Sequence, residues 1–300
     1  MKVLTREHII YSFSESVQPA ITIDKNEELV IETHDCFTGQ IKSERDLITE
    51  VDFSRVNPAT GPVGVNDAFP GDILVLEIVN IEVDNRGFMV TIPGEGGFGD
   101  RISSSVTKLI EIKDEKFFYN NLAFPVSPMV GVIGVCPESG EVPCGEIGNH
   151  GGNLDAKVIT KSSKVYFLVR RDGALFALGD LHAGMGDGEA VICGVETPGR
   201  VTVKAEVIKN PVFKPERPLV ETGDKFVTIG IGADLDEAVK VALDDMLVMV
   251  QRKLNISAEE GAMLISAVGD VKVCQIVDPQ KTARVEMPKD IFEPVEGLFF

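Results

Sequence analysis

The chain has 300 residues, 44% hydrophobic and 25% charged, which excludes an intrinsically disordered protein and allows a sizeable core. Its 47 acidic against 29 basic side chains give a formal charge of −18. That sign repels phosphate backbones and anionic lipid, so neither a nucleic-acid nor a membrane partner is expected.

The first residues carry no long apolar stretch of the signal-peptide kind, and the apolar run 129–135 is too short and glycine-rich to span a bilayer. Five cysteines, odd in number and without a CxxC pair, argue against a disulfide framework or a thiolate zinc cage. Each is expected to be a small buried apolar residue in a reducing cytoplasm.

In chain order, alternation predicts a strand over 28–33, ending at His34-Asp35 where a rim loop begins. The turn Phe69-Pro70-Gly71 starts a second strand over 72–83. The glycine-rich segment 93–100 lacks the Lys-Ser/Thr of a phosphate-binding loop and the strong helix that follows a dinucleotide fingerprint. Strands are predicted over 157–160, 164–169 and 174–178, with 170–173 as a hairpin turn. Lys161-Ser162-Ser163-Lys164 lacks the glycine- and serine-rich surround of signature amidases, and there is no Gly-x-Ser-x-Gly elbow. Short β-branched runs between turn residues predict a mainly β body, a sandwich or barrel.

Helical periodicity comes late. Asp234 with Glu237 forms a start signal, and Leu235, Ala238, Val239, Ala242, Met246, Leu247 and Val250 recur every three or four residues. Asn255 ends this helix, and Ser257 with Glu260 opens a shorter one toward Ser266. Two helices near 234–267, followed by strands over 271–277 and 283–287, predict a smaller α+β unit. Pro211, Pro215 and Pro218 place a boundary between a β-rich body of 1–210, holding most of the site, and a C-terminal part of 211–300 whose strands can return to the body.

The stretch 148–196 is the richest in chemistry. It holds two of the four histidines, His150 and His182, among glycines and the acids Asp155, Asp180, Asp187, Glu189 and Glu196. Asp180 and His182 are two apart at a strand end, so their side chains share a face as a metal-ligand pair, or as a ligand with its orienting carboxylate. The loop His150-Gly151-Gly152-Asn153-Leu154-Asp155 can bring imidazole, amide and carboxylate to one point, or offer backbone N–H groups to an oxyanion. This donor mixture suits a divalent cation and a bound water.

These residues and their order are similar to those of the acetamidase/formamidase family. The resemblance is carried by Asn57-Pro58-Ala59-Thr60-Gly61-Pro62, Pro70-Gly71-Asp72, the 150–155 loop, Gly179-Asp180-Leu181-His182, the run from Gly186 to Glu196, and the helix start at Asp234. It implies a β-sandwich-like body with a smaller α+β part. The implied activity is cytoplasmic hydrolysis of short aliphatic amides, acetamide or formamide, to carboxylate and ammonia by a homo-oligomer, a dimer or multiple of dimers.

The polar set it assembles is Asp35, His150, Asn153, Asp155, Asp180, His182, Glu189 and Glu196. Of these, Asp35, Asp155, His182 and Glu196 are expected to bind the metal, zinc first and calcium as the alternative. Glu189 is the expected proton carrier, with His150, Asn153 and Asp180 also catalytic. A non-catalytic β-sandwich module holding calcium is the competing expectation; it predicts no ammonia release and leaves the histidines unexplained.

Overall fold

The computed structural model describes residues 1–299. Among them, strands form two large sheets, neither closed into a barrel, and helices come late in the chain. The nine-stranded sheet runs Lys2–Leu4, Glu28–Thr33, Gly199–Ile208, Ile73–Val83, Lys164–Leu168, Leu219–Glu221, Lys225–Gly232, Lys281–Pro288, Asp270–Gln275. The second sheet runs from the hairpin Lys116–Tyr119 and Leu122–Pro125 through Val106–Lys113, Arg86–Thr91 and Glu196–Thr197. It continues through Phe176–His182, Met129–Gly134 and Gly151–Asn153, while Ala59–Val65 also pairs with Phe176–His182.

Period-two burial builds the sandwich. Leu29 and Ile31 from one strand, and Val201, Val203 and Ala205 from its neighbour, point into a core shared with Val130, Ile133, Phe176, Leu178 and Leu181 of the other sheet. Residues at alternating positions thus fill the interior between two packed layers. Phe176–His182 and Met129–Gly134 are buried at every position, which places the end of the former deep inside the molecule.

The helices cover part of the nine-stranded sheet. α1, Leu235–Leu254, is capped by the Asp234 side chain and ends at Asn255 in the left-handed region (φ 52°). α2, Ala258–Val268, starts with a full capping box between Ser257 and Glu260. Ala242, Met246, Met249 and Val250 of α1 pack with Phe226, Val285 and Met287 of the sheet. The strands after residue 211 continue the sheet begun by the N-terminal strands.

Two local expectations are corrected. Residues 157–160 form a turn rather than a strand, closed by Ile159 N–H donating to Ala156 O (2.8 Å), with only a bridge from Thr160 to Met129. The strands Lys164–Leu168 and Phe176–His182 are not a hairpin: the first pairs with Ile73–Val83 and Leu219–Glu221, the second with strands of the other sheet. The intervening loop crosses between layers, because Val165 and Phe167 meet Phe176 and Leu178 across the core instead of side by side.

Candidate active site

His182 ends its strand directly opposite Glu196 on the neighbouring strand. Its Nε2 lies 3.1 Å from Glu196 Oε1, 3.5 Å from Asp180 Oδ1 and 3.9 Å from Asp155 Oδ1. Asp180 reaches the same face through the two-residue spacing, and Asp155 arrives on the loop after Gly151–Asn153, where Leu154 N–H donates to Gly131 O (2.9 Å). Glu189 comes from the long loop after His182. Ligand atoms of Asp155, His182 and Glu189 all lie within 4.8 Å of one another, as do those of Cys36, Asp180 and Glu196.

The space is made by missing side chains. A Cβ on Gly131 would stand 2.6 Å from both Asp155 Oδ1 and Asp180 Oδ2, and one on Gly194 would stand 2.7 Å from His182 Nδ1. Backbone strain accumulates at the same point: Asp155, Asp180 and Glu189 all have positive φ, 42°, 56° and 47°. Such conformations cost free energy in non-glycine residues and concentrate where surrounding structure imposes a functional geometry.

The electrostatics are unusual for a core. Asp155 Oδ1, Asp180 Oδ1, Glu189 Oε2 and Glu196 Oε2 are buried without a hydrogen-bond partner. Burial pushes the Asp155 carboxyl well above the ordinary range, helped by the charges of Glu189 and Asp180. Glu189 is likewise raised by burial, and Glu196 is raised by burial to about 7. Burial alone pulls the His182 imidazolium down, but Glu196 and Asp180 outweigh it and hold His182 well above its usual value. Bare carboxylate oxygens in an interior are costly unless a cation shares them. The orphaned oxygens, one imidazole and one thiol therefore fit a divalent cation of hard to borderline character.

The other expected residues are placed differently. The Asp35 carboxylate accepts from Phe37 N–H (2.9 Å) and Gly39 N–H (3.0 Å), tying up a turn, and its neighbour Cys36 is the residue that enters the cluster. His150 packs edge-on against Phe13 with ring centroids 5.1 Å apart, and burial lowers its pKa to about 4. It belongs to neither group around His182. Asn153 donates from Nδ2 to Asp278 Oδ2 (2.9 Å), leaving its Oδ1 buried and without a partner. Asp187 turns away from the cluster to pair with Arg284 at 2.7 and 2.9 Å.

Cys36, Gly131, Gly194 and Asp278 are site residues that sequence reasoning missed. Burial raises Asp278 to about 6, and its charge acts on Asp155 and Glu189. It lies in a polar turn after Asp270–Gln275, where nothing in the local pattern separates it from ordinary turn chemistry.

Comparison with known proteins places the chain. The Acetamidase/Formamidase family profile matches residues 5–144 and 141–294. The crystal structure of an acetamidase from Bacillus halodurans superposes with a TM-score of 0.94 at 42% identity, over 97% of this chain and 99% of that one. A formamidase from Methylophilus methylotrophus is 27% identical, the match covering 92% of this chain and 87% of the relative. A Schizosaccharomyces pombe relative, also 27% identical over 64% of this chain, is matched along 62% of its own length.

Proposed function

This chain is a member of the acetamidase/formamidase family, and from that premise we propose that it hydrolyses short aliphatic amides, acetamide and formamide, to the carboxylate and ammonia. The observation that carries the chemistry is the convergence of Asp155, Asp180 and Glu196 on His182, in a cluster where four carboxylate oxygens, one from Glu189, are buried without a hydrogen-bond partner. Asp155, His182 and Glu189 would hold a divalent cation, zinc before calcium, with Cys36, Asp180 and Glu196 beside it. When bound, such an ion polarises an amide carbonyl and lowers the pKa of water from about 15.7 toward about 7.

The chain's own residues supply the rest. Glu196 is fixed through Oε1 by Gly194 N–H (2.9 Å), leaving Oε2 to take a proton from water and return it to the departing nitrogen. Proton transfer of this kind typically contributes ~10²–10⁴-fold. Asp278 accepts one of the two N–H groups of Asn153 and holds its amide in place, and the buried, unpartnered Oδ1 is an acceptor suited to a substrate NH₂. Burial also keeps the Cys36 side chain a thiol, which disfavours it as the nucleophile.

The experiment is ammonia release from acetamide and formamide, with metal analysis before and after chelation. We expect release to fall at least tenfold on chelation and to recover with zinc or calcium. A metal-free preparation with full turnover would overturn the metal assignment while sparing amide hydrolysis. No ammonia from either amide would overturn the amidase reading and favour a non-catalytic calcium-holding module. We also propose a cytoplasmic homo-oligomer, a dimer or multiple of dimers, checked by light scattering. The five cysteines, all free and buried, are compatible with a reducing compartment.

A further inference from the structure

Beside the carboxylate cluster lies a cleft of about 520 Å³, walled on one side by the loop that carries Glu189 and on the other by the hairpin Lys116–Tyr119 and Leu122–Pro125. Its lining is almost wholly carbon: Met89, Phe117, Phe124, Pro125, Val191 and Val195. Phe117 and Phe124 stack with centroids 5.3 Å apart, and Phe124 is still 41% exposed. Glu189 and Gly194 form part of the opposite wall. Met185, in the same wall, has its Sδ 3.3 Å from His182 Nδ1.

The cleft is therefore mainly apolar, with Ser127 and the Arg284-paired Asp187 also in its lining, and it meets the cluster at Glu189. Cavities of this size accommodate ligands far larger than formamide or acetamide. The nearby acids and the chain's overall charge of −18 disfavour an anionic tail, so the complementary occupant is neutral. We infer that the cleft is an acyl-binding site, and that the protein takes neutral primary amides whose apolar acyl group is larger than acetyl, with Phe124 setting that preference. This inference rests on the amidase reading above.

Each methylene buried in such a cleft strengthens binding about fourfold. Hexanamide has four more methylenes than acetamide, and burying half of them raises kcat/KM at least tenfold. In Phe124→Ser, KM for hexanamide rises about fivefold while acetamide kinetics stay within twofold, and Phe124→Tyr restores the wild-type KM. Calorimetric binding of hexanamide to the chelator-treated protein, weakened by Phe124→Ser, reads the cleft without turnover.

Hexanamide no better than acetamide, or a Phe124→Ser variant that shifts both substrates equally, would overturn the inference. If no amide releases ammonia, the amidase reading fails on its own. The cleft as a site for apolar tails then stands or falls on the calorimetry.

Discussion

Gly131→Ala is the sharpest test of how the site is built. The added Cβ would sit 2.6 Å from Asp155 Oδ1 and 2.6 Å from Asp180 Oδ2, where ordinary contact begins at 3.4 Å, so each carboxylate must retreat by about 0.8 Å. Neither has room to do so: Asp155 is 1% and Asp180 2% exposed, and both already sit at positive φ. Overpacking of this kind costs about 2 kcal/mol. In a chain of this size, with an unfolding entropy of about 0.6 kcal/mol/K, that lowers the unfolding temperature by roughly 3 °C. The activity loss is larger than the stability loss, because a displacement near 1 Å in a catalytic constellation costs about 10²-fold. The assay is ammonia release from acetamide, with thermal unfolding followed by circular dichroism. Gly223→Ala is the control, since a Cβ there meets nothing within 4 Å. Wild-type kcat/KM in Gly131→Ala would refute the reasoning.

Two further outcomes follow from the same geometry. Arg284, 1% exposed, donates to both Asp187 oxygens, to Glu286 Oε1 at 2.8 Å and to Val273 O at 2.7 Å. Arg284→Met removes a buried cation from between two carboxylates and should cost about 3 kcal/mol in urea unfolding. It should also lower kcat, because Asp187 anchors the loop of Glu189. Arg284→Lys should recover part of both losses, and an unchanged urea midpoint in Arg284→Met would contradict this. The second outcome concerns pH. Burial drops His150 from about 6.5 to about 4, so the unfolded chain binds more protons between those values and stability falls as pH falls through that window. The contribution lost between pH 7 and pH 5 is about 2 kcal/mol. His150→Gln should flatten the stability profile there, and an identical slope in the two proteins would remove His150 from the account.

The parts of the site legible in the sequence are those where spacing within one strand decides geometry. Asp180 and His182 share a face because side chains repeat every two residues, and the helix caps at Asp234 and Ser257 are signalled by their N3 partners. What the sequence hides is set by pairing over long range. Cys36 meets Glu196 only through the folded sandwich, and in isolation a lone cysteine after a strand reads as core. Asp35 looks like a ligand in sequence, and in the fold its carboxylate accepts from the turn it starts while its neighbour Cys36 makes the contact with the cluster. The run Val158-Ile159-Thr160 has the composition of a strand, but Ser163 Oγ caps it locally, accepting from Thr160 N–H at 3.1 Å and donating to Thr160 O at 2.7 Å. β-propensity reports how a residue fits a pleated surface and does not create a partner strand.

The loop of Glu189 is sewn to the last part of the chain: Gly188 N–H donates to Cys274 O (2.9 Å), Ile276 N–H to Gly188 O (3.1 Å), and Asn153 to Asp278. The cluster around His182 comes from residues 36 to 196, so it is fully synthesised long before it can be completed. During translation these carboxylates must wait, solvated and unconstrained, until about eighty more residues emerge and dock. A nascent or C-terminally clipped chain would hold the acids and the imidazole without Asp278 and without the contacts that fix the Glu189 loop. Activity therefore reports on the arrival of the C-terminus as well as on the acids themselves.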